Sequence, residues 1–145
     1  MEISNRNEYA LLAMLNMATH YSNGEPLQIR QIALQQHIPE RYLEQILAAL
    51  RRSGLISSER GAKGGYRLAS PPHQIRILDI INCMQGIELQ ELQSNNASAT
   101  STSRVIREVW QEANQAANAV LKRYTLQDLV EQRNARQMLH TMYYI

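Results

Sequence analysis

The chain has 145 residues, 44% of them hydrophobic, and its 15 Lys and Arg against 13 Asp and Glu leave a formal net charge of +2. That length suits one ordinary domain, or a small domain with an added oligomerisation arm, and so small a net charge means that any acidic partner must be met by where the cations sit. A single cysteine excludes an intramolecular disulfide and favours a reducing compartment; "MEISNRNEYALLAML" has neither the basic start nor the unbroken apolar segment of a signal peptide, and no run nears the roughly 18 apolar residues of a membrane span, so a cytoplasmic protein with no membrane partner is expected.

The elements follow in chain order. In "NRNE", Asn5 stands as an N-cap with Glu8 three residues on, a capping-box arrangement. Leu11, Leu12, Leu15 and Ala18 then mark a buried stripe up to about His20, and "SNGEP" is turn chemistry. A short helix over 28–36 carries Ile29, Ile32 and Ala33 at i, i+3, i+4 spacing. "HIP" breaks it, because a residue before proline avoids the helical region. Pro39 opens a third helix that runs to Arg52 and is capped by Gly54. On that helix Leu43, Ile46, Leu47 and Leu50 face one way, while Arg41, Glu44, Gln45, Ala48 and Arg52 face the other.

"LISSER", a glycine-rich connection and "YRLA" read as a hairpin. Two short helices joined by a tight turn and followed by a hairpin make a winged helix-turn-helix pattern. "PP" at 71–72 ends the hairpin, and "IRILDIINCM" (75–84) is a fourth helix with Ile77, Leu78, Ile81 and Cys83 or Met84 inward. The expected fold is therefore mainly α with a small β-hairpin: a winged helix-turn-helix domain over 1–84 and a long C-terminal dimerisation helix.

Residues 85–103 read as a polar loop, of which "SNNASATSTS" (94–103) is small and uncharged. A long helix follows from Arg104 to about Tyr124, with Ile106, Trp110, Ala113, Ala117, Val120 and Tyr124 at 4-3-4-3-4 intervals, a coiled-coil-like seam. At 1.5 Å per residue it is roughly 30 Å long, more apolar face than the front domain covers, and its alanines let a second helix come close. A homodimer arm is expected; the alternative is one helix folded back on its own core. "TLQD" repeats the capping form with Thr125 and Asp128 and opens a short last helix to about Asn134. Residues 104–134 thus form the dimerisation helix and its follower, and 135–145, ending "MLHTMYYI", an apolar tail with no assigned docking place.

The stretch "RGAKGGYRL" packs three glycines, three cations and an aromatic ring into nine residues. A phosphate-binding loop needs GxxxxGK[ST] between a strand and a helix; "GAKGG" lacks that spacing and precedes a strand, so it reads as a wing tip. There Arg60 suits a minor groove, whose negative potential deepens as it narrows, and Lys63 with the amides of Gly64 and Gly65 suits phosphates. A solvated basic turn is the alternative. Arg41, Tyr42, Glu44 and Gln45 lie in the first turns of the third helix, where recognition helices meet base edges. Phosphates repel a carboxylate, so Glu44 on such a face needs another purpose, and accepting from cytosine N4 is one; an i, i+4 helix-surface partnership is the alternative. Tyr42 also admits a half-core reading beneath the wing. Arg51 and Arg52 suit phosphates at the helix end, where they also complement its dipole. Ser4, Asn5, Arg6 and Gln28 are candidates for phosphates at helix N-termini.

Cys83 reads as a small buried hydrophobe, with redox sensing as the alternative. His20, His37, His73 and His140 show no metal-ligand spacing, and Trp110 reads as interface core. Neither a nucleophile–base pair nor paired carboxylates occur, so no catalytic or metal residues are assigned and no enzyme is expected.

"SNRNEYALLAML", "IPERYLEQILAALRRSGLISSERGAKGGYRLA" and "WQEANQAANAVLKRYTLQDLV" resemble, in order and spacing, the Rrf-two family of bacterial winged-helix regulators over about residues 3–132. The resemblance implies a homodimer on a roughly palindromic DNA operator, the long helix crossing at the interface, an arginine at the place of Arg60 in a minor groove and a glutamate at the place of Glu44 reading a base. Cluster-binding members carry three cysteines and a further ligand in the loop before the long helix. Here that place is taken by "SNNASATSTS" (94–103), which holds no Cys, His, Asp or Glu, and Cys83 precedes it at a place that matches no family ligand. Iron in such clusters is held by several thiolates, so no cofactor is expected. The expectation is a homodimeric, sequence-specific transcription regulator, a repressor, that answers to a metabolite or a protein partner. A winged-helix module that docks a protein without reading DNA, and a regulator sensing redox state through Cys83, are the competing readings.

Overall fold

The computed structural model describes residues 2–92 and 100–143, and the side chains of all of these except 88–92. The described residues form, besides two single-turn 3-10 helices, six α-helices and one hairpin: α1 (Asn5–Thr19), α2 (Ile29–Gln36), α3 (Glu40–Arg52), β1 (Ile56–Glu59), β2 (Gly65–Leu68), α4 (Ile77–Leu92), α5 (Ser101–Leu121) and α6 (Leu126–Tyr143). β1 and β2 pair antiparallel with Ile56 opposite Leu68 and Glu59 opposite Gly65. This is the expected winged helix-turn-helix with a long helix behind it.

α1 is the central post, packing on α3, α4, α6 and β2. It is capped by Ser4 rather than Asn5: Ser4 Oγ accepts from Asn7 N at 3.2 Å, and Asn5 is already the first helical residue. Its buried face is also rotated from the expected leucine stripe. Ala10, Ala13, Met14 and Met17 point inward, whereas Leu11, Leu12 and Leu15 are half-buried. Small and flexible side chains let the neighbouring helices close on α1, leaving the branched leucines toward the flank.

α2 ends in a left-handed His37, φ +55° and ψ +44°, whose turn is closed by Ile38 N donating to Ala33 O at 3.0 Å. Pro39 then caps α3 with an extended ψ of 127°. α3 is strongly two-sided: Leu43, Ile46, Leu47, Ala49 and Leu50 enter the core. Met14, Ile32, Leu43, Leu47, Leu50, Ile80, Met84 and Leu126 are its largest fully buried side chains, each stabilising the fold by about 1.5–3 kcal/mol relative to an exposed position.

Several expected boundaries move; among them α4 begins at Ile77 rather than 75, and α5 ends at Leu121, before the expected Tyr124. α4 runs through Leu92, so 85–92 of the expected polar loop is helix, carried by the strong helix formers Gln85, Glu88, Leu89 and Glu91; its inner face uses Ile80, while Leu78 is half-buried. At the other end of that loop Thr100 caps α5, accepting from Ser103 N at 3.2 Å, so α5 begins at Ser101 and not Arg104. Residues 93–99, the rest of the expected loop, lie outside the described residues. α6 continues past Asn134 to Tyr143, making most of the expected tail helical, because 126–143 contains no glycine or proline to stop it.

The root of α5 is tied to the front domain by backbone. Ile77 N donates to Tyr124 O at 3.0 Å and Leu126 N to Ile75 O at 2.8 Å, forming a bridge between Arg76 and Thr125. The expected capping pair then starts α6: Thr125 N donates to Asp128 Oδ2 at 2.8 Å, and Asp128 N to Thr125 Oγ1 at 3.2 Å.

Candidate nucleic-acid interface

Because α3 buries its apolar side, its first two turns leave Arg41, Tyr42, Glu44 and Gln45 exposed together along one edge. Tyr42 is 47% exposed and leans on Tyr9 of α1, with ring centroids 6.5 Å apart and planes inclined by 35°. Its half-core alternative is therefore corrected: the ring packs sideways on α1 and not beneath the wing. Arg41 lies over the same ring, Cζ 5.2 Å from the centroid, and its Nη2 donates to the Tyr42 hydroxyl at 3.4 Å. An exposed cation–π contact of this kind stabilises by about 0.5–1 kcal/mol, enough to bias Arg41 toward one orientation. Glu44 and Gln45 make no hydrogen bond or ion pair among the described residues, so the helix-surface partnership for Glu44 is not realised.

The wing is shaped by glycine. Gly61 adopts φ +106°, and its carbonyl accepts from Gly64 N at 3.0 Å across the turn. A Cβ on Gly64 would stand 2.2 Å from Glu59 O; on Gly65, at φ +149°, it would stand 2.5 Å from Leu27 O. The second approach arises because Leu27 and Tyr66 exchange two backbone bonds, of 2.8 and 2.7 Å. The expectation that the Gly64 and Gly65 amides meet phosphates is corrected accordingly. Gly64's amide is engaged inside the turn. Gly65 faces Glu59, two bonded steps along the alternating ladder from the 3.1 Å bond of Ala69 N to Leu55 O.

Other residues brace the wing. Gln28 Nε2 donates to Ala62 O at 3.2 Å, and Gln28 N donates to Gln31 Oε1 at 2.8 Å, so Gln28 ties α2 to the turn rather than standing ready for a phosphate. Arg67 pairs with Glu59 and donates to Gly24 O at 3.2 Å. Sequence reasoning missed Arg67, although hairpin register places it diagonally across from Glu59, where opposite charges meet. The braces leave Arg60 and Lys63 exposed at the tip, and neither makes a hydrogen bond or ion pair among the described residues.

Arg51 Nη1 donates to Ser58 Oγ at 3.3 Å, joining the end of α3 to β1; Arg52 is exposed beside it. Ser4 and Asn5 are exposed at the start of α1, where the hydroxyl oxygen of Ser4 serves as the cap, and Arg6 is half-buried.

Along α5 the expected seam is uncovered in the single chain. Trp110 is 63% and Ile106 61% exposed; Ala113, Val120 and Tyr124 are exposed and Ala117 is half-buried. Val105 and Val109 widen the stripe, and their i, i+4 relation to each other was readable in the sequence.

The Rrf2 model, described as "Iron-dependent Transcriptional regulator", matches residues 3–132. The chain belongs to the Rrf2 family. Among its Rrf2 relatives, the HTH-type transcriptional regulator CymR of Bacillus subtilis is 36% identical over 144 residues, covering 99% of each chain. The solved structure of B. subtilis CymR, described as the global cysteine regulator, matches with a TM-score of 0.70 and 33% identity over 91% of this chain and 98% of that one. IscR of T. potens matches with a TM-score of 0.75 and 33% identity over 94% and 91%.

The iron dependence in the family's description calls for metal donors in this Rrf2 chain. Cys83 is its one cysteine; it is half-buried on α4, where Sγ accepts from Ser53 Oγ at 3.1 Å. Among the described residues no group of three or more His, Cys, Asp or Glu is placed to hold a metal. One thiol does not fit a cluster that several thiolates hold. No described helix is long and apolar enough to cross a membrane.

Proposed function

We propose that this Rrf2 regulator is a cytoplasmic homodimer that reads a near-palindromic double-stranded operator and acts as a repressor. The observation that carries the reading is the pairing of an exposed polar edge on α3 with two unpartnered cations, Arg60 and Lys63, on a glycine-shaped wing. Arg60 enters the minor groove beside the site. Lys63 and Arg51 neutralise phosphates and set position, while Arg41, Tyr42, Gln45 and Glu44 meet base edges, Glu44 accepting from a cytosine N4. The uncovered stripe of α5, centred on Ile106, Trp110, Ala113, Ala117 and Val120, with Tyr124 just beyond the helix, supports pairing of two chains. Two subunits then span half-sites about 34–36 Å apart.

Regulation works without an iron–sulfur cluster, through a metabolite or a protein partner. Selection of bound duplexes from a random pool by the purified protein is expected to return one inverted repeat. Failure to enrich any sequence, with no salt-sensitive binding to duplex DNA, would leave the protein-docking reading in its place. An iron and sulfide assay on an anaerobic preparation is expected to find neither in stoichiometric amount.

A further inference from the structure

A groove of about 670 Å³ opens between Leu15 of α1 and the face of α6 that runs from Leu129 to Thr141. Its base is apolar, formed by Leu15 of α1 and Leu129 of α6. Arg133, Arg136 and His140 follow Leu129 at steps of four, three and four residues, which stacks them in one row on the helix. Gln132, Gln137 and Thr141 flank that row with amide and hydroxyl groups. Among the described residues, no carboxylate lines the groove.

Arg133 is incompletely satisfied. Its Nη2 donates to Asn134 Oδ1 at 3.3 Å, while its Nε is out of contact with water and has no hydrogen-bond partner. Buried donors are paired in the great majority of cases, so Arg133 is a lining side chain whose donors its own chain does not fully use. Guanidinium forks match the two oxygens of a carboxylate or phosphate better than any other side chain. The volume falls within the range of small-molecule sites, which combine an apolar body with a few convergent polar groups.

The geometry points to a binding site for a small organic oxyanion, a carboxylate or a phosphate ester, between α1 and α6. Its charged end meets Arg133 and Arg136, and its carbon skeleton lies on Leu15 and Leu129. Such a ligand braces α6 against α1, and α1 packs on α3, so occupancy reaches the element that carries the polar edge. That coupling rests on the DNA-reading role proposed above; binding to the groove does not.

The test is calorimetric titration of the full chain, without DNA, with inorganic phosphate, acetate, succinate and citrate at constant ionic strength, and with chloride as the control. Saturable binding of at least one oxyanion is expected, weakened at least tenfold by Arg136→Gln. Arg136 is exposed, so its replacement leaves the fold intact by circular dichroism; Arg133→Gln is the second variant and is expected to weaken the same ligand. Preference between phosphate and the carboxylates identifies the source of the oxyanion. Absence of saturable binding to every probe overturns the proposal, as does an affinity unchanged in both variants. A third overturning result is a monomer–dimer equilibrium altered by Arg136→Gln with no anion bound, because a second copy of the chain would then fill the groove. A failure of operator binding leaves a positive titration standing, and the reverse holds equally.

Discussion

Arg60 owes its position to glycines that face their own chain. A methyl group on Gly64 would stand 2.2 Å from Glu59 O, a backbone atom with little room to retreat. Gly64→Ala is therefore expected to lower stability by about 1–3 kcal/mol, the cost of forcing atoms into a filled space, read as a lower melting temperature. Arg60→Ala has the opposite profile: an unchanged melting temperature and operator affinity reduced at least tenfold in a fluorescence-anisotropy titration. Equal affinity for the two proteins would remove the wing from DNA recognition. The exposed cation was legible because charge clustered around glycine marks a turn. The duty of Gly65 was not, since a glycine records that some backbone comes close without saying which, and Leu27 lies far off in sequence. Gln28 misled for a related reason: an amide at a helix start suits a phosphate and a neighbouring carbonyl equally well, and only the fold brings Ala62 within its reach.

At the scale of elements, α3 was fully readable because its apolar and polar residues separate at the helical period and every inward assignment is buried. α1 was misread by a rotation, as hydrophobicity alone ranks leucine above alanine while close helix packing prefers the smaller residue. The ends of α4 and α6 were lost where amphipathic pattern fades but helix propensity persists. The Thr125–Asp128 cap is a local signal and is realised in the structure; Thr125→Ala is expected to cost about 1 kcal/mol in thermal or denaturant unfolding. α5 invites a sharper test. Trp110→Glu places a charge in the middle of the uncovered stripe and, by sedimentation velocity, is expected to weaken self-association at least tenfold with helix content retained. A variant that sediments like the parent would assign the stripe another partner.

For the molecule as a whole, one core holds the wing, the reading helix and the root of the arm together. Leu126, wholly buried at the start of α6, joins the C-terminal helices to that core, and Leu126→Ala is expected to destabilise by about 2–5 kcal/mol in urea. The homodimer proposed from the uncovered stripe on α5 predicts a stability that depends on association, read as a melting temperature that rises with protein concentration. Binding to duplex DNA should weaken with salt, and Lys63→Ala, removing one phosphate contact from each of two subunits, should flatten the slope of log K against log salt by about 2. Size, charge placement and periodicity made this architecture legible, whereas the groove between α1 and α6 was hidden because its lining comes from two segments at opposite ends of the chain. The bridge between Arg76 and Thr125 carries one more implication. It ties the start of α4 to the segment that follows α5, a rod roughly 30 Å long, with three residues between the end of that helix and Thr125. α4 in turn lies against α3, so the base of that rod and the helix carrying the polar edge share a neighbour.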